Sequence, residues 1–182
     1  MGMATTSSGI YINVLGEGLY RYDSLRSSFA AISPRGIDKE FEFIWSIREV
    51  SGAEYPLWLS TNDGVFLYKP SSGAWKKLKL PLEPTDQGGS FSMYDPGNEF
   101  IWVSTHQSLY KVNRRDGSLL KHVSVLAKVR GSIIQDIQGA GDYIFVVNEG
   151  EGSWVIDSGD EVSKLEDLTQ EKRPVADTPS WE

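Results

Sequence analysis

The chain has 182 residues, 40% hydrophobic and 24% charged, an ordinary balance for a folded globular domain. A formal net charge of −7 argues against nucleic acid or an anionic membrane surface as a partner, because both need a positive field. The absence of Cys excludes disulfides, thiol catalysis and Cys-type zinc sites. No apolar run approaches the roughly 18 residues of a membrane span, so membrane insertion by this chain is not expected, and the first residues lack the charged and apolar regions of a signal peptide.

Residues 1–8 carry no strand pattern and are expected to be a disordered N-terminal segment. The first patterned unit, about 9–33, has apolar runs at 10–14, 19–22 and 28–32 separated by small polar turns. The second, about 41–80, is the clearest. It has runs at 41–47, 57–60, 65–68 and 75–80, with Asn62-Asp63-Gly64 and Ser72-Gly73 between them. An Asp-Gly step supplies the positive φ that a tight hairpin needs. The third unit, about 90–125, repeats the plan at 91–94, 100–104, 109–112 and 119–123, and the fourth, about 132–166, at 133–137, 143–147, 154–156 and 162–165. Two prolines and a polar composition give 169–182 the character of a C-terminal tail.

One aromatic recurs at the second-strand position of each unit, the first unit lacking a visible inner strand: Tyr11, Trp58, Trp102 and Phe145, spaced 47, 44 and 43 residues apart. A period in the low-to-mid forties with several strands per unit is the mark of a β-propeller. The fold expected is therefore all-β, a propeller-type repeat of four blades of about 45 residues. The first unit has no visible inner strand, and the tail offers only Val175-Ala176, with Trp181 as an anchor, to complete it. A closed ring and an open arc, or part of a larger propeller, both stay open at this point.

The phrase Leu57-Trp58-Leu59-Ser60-Thr61-Asn62-Asp63-Gly64-Val65-Phe66-Leu67-Tyr68, with Ile44-Trp45-Ser46-Ile47 before it and Ser72-Gly73 after it, resembles the two-component regulator propeller repeat. Gly18-Leu19-Tyr20-Arg21-Tyr22-Asp23 matches the same motif. Ile101-Trp102-Val103-Ser104-Thr105 and Leu109-Tyr110 match it too, with Ser108 where the family has Gly; the fourth copy keeps only the strand pattern. The resemblance implies an extracytoplasmic sensor module, periplasmic or extracellular, recognising a glycan or other small ligand or a protein. It carries no catalytic residues, because the motif is structural. The long repeat arrays, membrane span and kinase of that family's sensors are not seen in this chain.

In an up-and-down blade, the turns between the second and third strands share one face. That places Glu17, Asn62, Asp63, His106, Glu149 and Glu151 as ligand-binding candidates on one rim, a polar ring suited to a polar ligand or a cation. The competing reading makes them turn residues chosen for geometry. Trp75, on an outer strand beside Lys76, Lys77 and Lys79, is a further candidate for stacking or a protein contact; Trp45, on an inner strand, is placed to line the channel. No catalytic motif is present: the Gly16-x-Gly18 and Gly150-x-Gly152 phrases precede no helix, and His106 and His122 lack metal spacing. No enzyme activity, cofactor or metal is expected. The function expected is a non-catalytic binding or sensor module. The alternatives are an assembly propeller that contacts protein partners or associates with itself and, more weakly, a carbohydrate-active enzyme on this scaffold.

Overall fold

The computed structural model describes residues 2–33, 43–82, 84, 86, 88–124, 133–149 and 152–166. These form four antiparallel four-stranded sheets, each a meander of consecutive strands. The first contains β1 (Met3–Thr6), β2 (Gly9–Val14), β3 (Gly18–Asp23) and β4 (Ser28–Ile32), and the second β5 (Ile44–Glu49), β6 (Leu57–Thr61), β7 (Gly64–Lys69) and β8 (Ala74–Lys77). The third contains β9 (Met93–Tyr94), β10 (Phe100–Ser104), β11 (Ser108–Asn113) and β12 (Leu119–Ser124), and the fourth β13 (Ile134–Ala140), β14 (Tyr143–Asn148), β15 (Ser153–Ile156) and β16 (Val162–Lys164). The four sheets are successive units resembling propeller blades.

The two-residue period of a strand assigns each run two faces, and here both faces are apolar. The anchor aromatics turn toward the following sheet. Tyr11 and Leu19 pack with Ile44, Leu57, Leu59 and Phe66 of the second sheet. Trp58, Val65 and Leu67 pack with Ile101, Val103, Tyr110 and Val112 of the third. Trp102 and Leu109 pack with Ile134, Ile137, Ile144 and Val146 of the fourth. The residues flanking each anchor turn toward the preceding sheet. Sheet on sheet, this is one interface made three times, and each large side chain removed from water contributes about 1.5–3 kcal/mol. Among the described residues no hydrophobic cluster joins the fourth sheet to the first, and the sheets are not closed into a ring.

The first sheet corrects one expectation. Residues 3–6 form β1, which pairs antiparallel with β2 over Met3↔Ile12, Ala4↔Tyr11, Thr5↔Ile10 and Thr6↔Gly9. The unit with no inner strand visible in its sequence has one, and the segment expected to be disordered supplies it. The physical reason is that β1 is held by a backbone ladder and needs only one small buried side chain, Ala4, opposite Tyr11. Asn13 fastens the same corner: its buried Nδ2 donates to the Ile44 carbonyl at 2.6 Å, and its backbone N donates to the Gly2 carbonyl at 3.0 Å. The tail at 169–182, with its proposed strand donor, lies outside the described residues.

Gly139 marks a close approach between the third and fourth sheets. A Cβ built there would lie 2.1 Å from Cε1 of Tyr94, so the Tyr94 ring occupies the space a side chain would need.

Candidate functional site

The strand two-to-three turns are where the sequence places the site, and each described rim candidate has a definite local partner. Glu17 is exposed and accepts a 2.9 Å hydrogen bond from the Tyr20 hydroxyl of its own hairpin. Asp63 pairs with Lys77 at 2.8 Å and lines a surface cavity of about 410 Å³ with Leu78, Leu80, Leu82 and Gly88. Thr61 shapes that turn, its hydroxyl donating to the Gly64 carbonyl at 2.9 Å and accepting from the Asp63 N–H at 3.1 Å. Asn62 is exposed, and its backbone N–H donates to the Phe43 carbonyl. Glu149 is exposed and accepts from Gln135 Nε2 at 3.3 Å. Glu151 lies outside the described residues. No group of three or more His, Asp or Glu among the described residues is arranged to hold a metal ion.

Trp75 is elsewhere. Its ring lies 4.5 Å from that of Tyr68 and packs, half-buried, against the core between the first and second sheets. In the described structure its ring is engaged in that packing.

His106 does join something larger. Its ring stacks on Phe91 at 5.3 Å and 28°. Phe91 meets Trp45 at 5.0 Å, and Trp45 stacks on Phe43 at 5.6 Å and 10°. Four rings thus form a continuous ledge across the inner edges of the second and third sheets. Trp45 is 41% exposed, and the other three are half-buried.

A β-bulge explains why Trp45 faces outward. Ile44 pairs with Thr61 and Ser46 with Ser60, which leaves Trp45 as the extra residue. A bulge re-aims a side chain that regular alternation would send into the sheet interface. The fourth sheet repeats the device: Ile134 pairs with Asn148 and Asp136 with Val147, leaving Gln135 extra. The three sites correspond in register, since Arg48, Tyr94 and Gln138 face the anchors Trp58, Trp102 and Phe145, and Trp45, Phe91 and Gln135 each lie three residues before. The Ile134 N–H donates to the His106 carbonyl at 2.8 Å. This sets the Gln135–Glu149 pair beside the His106 turn, at the end of the ledge.

The ledge rests on fixed polar groups. Gly89 packs beneath His106 so closely that a Cβ there would lie 2.6 Å from Nε2 and 3.3 Å from the Asn62 carbonyl oxygen. Ser90 donates to the Ser60 hydroxyl at 3.1 Å, and Ser92 donates to Asp136 Oδ1 at 2.6 Å. Asp86 is buried in the link before Phe91. Its carboxylate accepts from the Thr105 hydroxyl, from the Gly88 N–H at 2.9 Å and from the Gln107 N–H at 3.3 Å. It therefore clasps the link to the turn carrying His106. Burial lowers the His106 pKa from its ordinary value, and the nearby Asp86 charge opposes that only in part, so the site favours the neutral imidazole.

Sequence reasoning placed His106 and Glu149 here and put Trp45 on an inner strand. It missed Phe43, Phe91, Gln135 and Asp86. Trp45, Phe91 and Gln135 lie 13, 11 and 10 residues ahead of their anchors, so only the strand register, and not a fixed spacing, brings them into line.

No family model and no curated protein matches the sequence. The fold does match solved structures. The extracellular domain of BT4673 from B. thetaiotaomicron, assigned as a hybrid two-component system, superposes with a TM-score of 0.70 at 19% identity over 90% of this chain and 21% of that one. The extracellular domain of BT3049 from the same organism, also assigned as a hybrid two-component system, gives 0.68 at 11% identity over 91% and 24%. An ancestral GH74 enzyme gives 0.62 at 12% identity over 88% and 23%. The chain spans less than a quarter of the length of each. Its class is thus a propeller-like β-repeat, similar in structure to the extracellular domains of two-component systems.

Proposed function

We propose that the chain is a non-catalytic binding module of the sensor type, acting outside the cytoplasm, whose ligand seats on the ledge of Phe43, Trp45, Phe91 and His106. The observation that carries this reading is the bulge that turns Trp45 outward onto Phe91. A protein folding for stability alone has no need to insert a residue in order to expose an indole. Aromatic faces are electron-rich and attract the weakly positive C–H face of a sugar ring. The Gln135–Glu149 pair and the His106 nitrogens supply hydrogen bonds at the end of the ledge, giving the mix of apolar surface and few polar groups that small-ligand sites use. The ligand class is a glycan, in keeping with the two-component regulator propeller resemblance. Glu17 and Asp63, held by Tyr20 and Lys77, stay outside this site.

An oligosaccharide panel measured by calorimetry tests the reading. The expected result is binding by the wild-type chain that Trp45→Ala and Phe91→Ala weaken while circular dichroism is unchanged. Binding that both variants retain in full would move the site elsewhere.

A further inference from the structure

Among the described residues the interface between consecutive sheets is made three times, each time from two kinds of face, and each kind is left over once. The first kind turns toward the preceding sheet. In the second sheet it holds Leu57, Leu59 and Phe66, all fully buried. The corresponding residues of the first sheet are Ile10, Ile12 and Tyr20, and none of them is fully buried. Register extends this face to Met3 opposite Ile12 and to Phe29 opposite Tyr22; Met3 is 68% exposed and Phe29 46%.

The second kind of face turns toward the following sheet and carries the anchor aromatic. Tyr11, Trp58 and Trp102 are buried in this way. Phe145 is the fourth anchor and has no following sheet among the described residues. Beside it Tyr143 is 50% and Val147 45% exposed.

We infer that these two leftover faces bind each other between two copies of the chain, head to tail, in the interface already present three times within each copy. The occupant follows from complementarity: each face is one half of a contact whose other half the chain also presents. A patch of this kind on a single chain marks an interaction site. Head-to-tail contacts either close into a ring or run on as a fibre. Propellers close with about four to eight units, and eight is the one multiple of four above four in that range, so the closed assembly is a pair. Four strands about 4.8 Å apart and about 17 Å long make a face of roughly 300 Å². Each of the two contacts in a closed pair then buries about 600 Å², and the two together about 1,200 Å², the lower end of the range for a stable assembly.

Light scattering on the full 182-residue chain, with Ile12→Lys and Phe145→Glu variants checked for folding by circular dichroism, tests this. The expected masses are twice 20.3 kDa for the wild type and 20.3 kDa for each variant alone. An equimolar mixture of the two variants should recover the doubled mass, because one interface then pairs Lys with Glu and the other is wild type. A face-to-face dimer of one surface would ignore one of the two substitutions. A wild-type monomer at high concentration, a variant that keeps the doubled mass, a mixture that stays monomeric, or a ladder of larger masses would each overturn the closed pair.

Discussion

The rings of Trp45 and Phe91 lie 5.0 Å apart across the boundary between two sheets. Neither residue belongs to the repeating core, since Trp45 is the extra residue of a bulge and Phe91 precedes β9 by two positions. Each sheet contributes one ring, so the ledge depends on the sheets keeping their relative position. That dependence connects the inter-sheet packing to ligand recognition.

Trp45→Ala should therefore lower glycan affinity more than it lowers stability. Removing an exposed aromatic ring from a binding site costs about 1–2 kcal/mol, on the scale set for hot-spot residues, while a half-exposed surface substitution stays within roughly 0.5 kcal/mol of wild-type stability. Calorimetry and urea denaturation on the same variant give the two numbers. A large stability loss with unchanged affinity would make Trp45 a packing residue.

Trp58→Ala should behave in the opposite way. Trp58 is fully buried between the second and third sheets, and its indole N–H donates to the Tyr55 carbonyl at 2.9 Å. Truncating a buried Trp costs about 3–5 kcal/mol, through the transfer energy forfeited and the cavity left behind. The midpoint of urea unfolding reads this directly, and a shift equivalent to less than about 1 kcal/mol would show that the interface collapses around the gap.

The contrast between these two tryptophans shows how far the sequence could be read. Trp58 recurs with Tyr11, Trp102 and Phe145 at a period in the low-to-mid forties, so its place in the repeat followed from spacing alone. Trp45 lies in a strand too, but its exposure comes from a bulge, and a bulge leaves no mark in a two-residue hydrophobic period. Residues 3–6 escaped notice for a related reason: a short inner strand held by ladder hydrogen bonds and one Ala needs no apolar run. Asp86 sits in a link, where pattern says nothing about which carboxylate turns inward. The rim candidates shared a face in principle, but chain order does not reveal that Asp63 turns to Lys77 or Glu17 to Tyr20.

Gly139→Ala should destabilise the boundary between the third and fourth sheets. The new Cβ would fall within 2.4 Å of two ring carbons and the hydroxyl oxygen of Tyr94, and overpacking of this kind costs about 1–3 kcal/mol. Tyr94→Ala opens the same space, so the double variant should lose less than the sum of the two single losses. A double-mutant cycle with no coupling would mean that the ring swings away freely.

Asp86 and His106 yield a paired prediction on pH. Burial holds the His106 pKa below its ordinary value of about 6.5, and the Asp86 charge pulls it partway back. A group with a lowered pKa binds fewer protons when folded than when unfolded, so stability rises with pH through that window. His106 should therefore contribute no penalty above about pH 6.5 and an increasing one as pH falls below it toward the folded-state value. His106→Gln should flatten this part of the stability profile while leaving other acid-sensitive groups in place. Asp86→Asn removes the opposing charge and keeps one acceptor oxygen, which serves either the Gly88 N–H or the Gln107 N–H with the Thr105 hydroxyl, so burial acts without that charge and the His106 pKa should fall further. NMR titration of the imidazole resonances, assigned by comparing His106→Gln with the wild type because His122 is the only other histidine, measures both effects. A higher His106 pKa in Asp86→Asn would mean that this carboxylate does not stabilise the protonated imidazole and that the clasp acts only on the backbone.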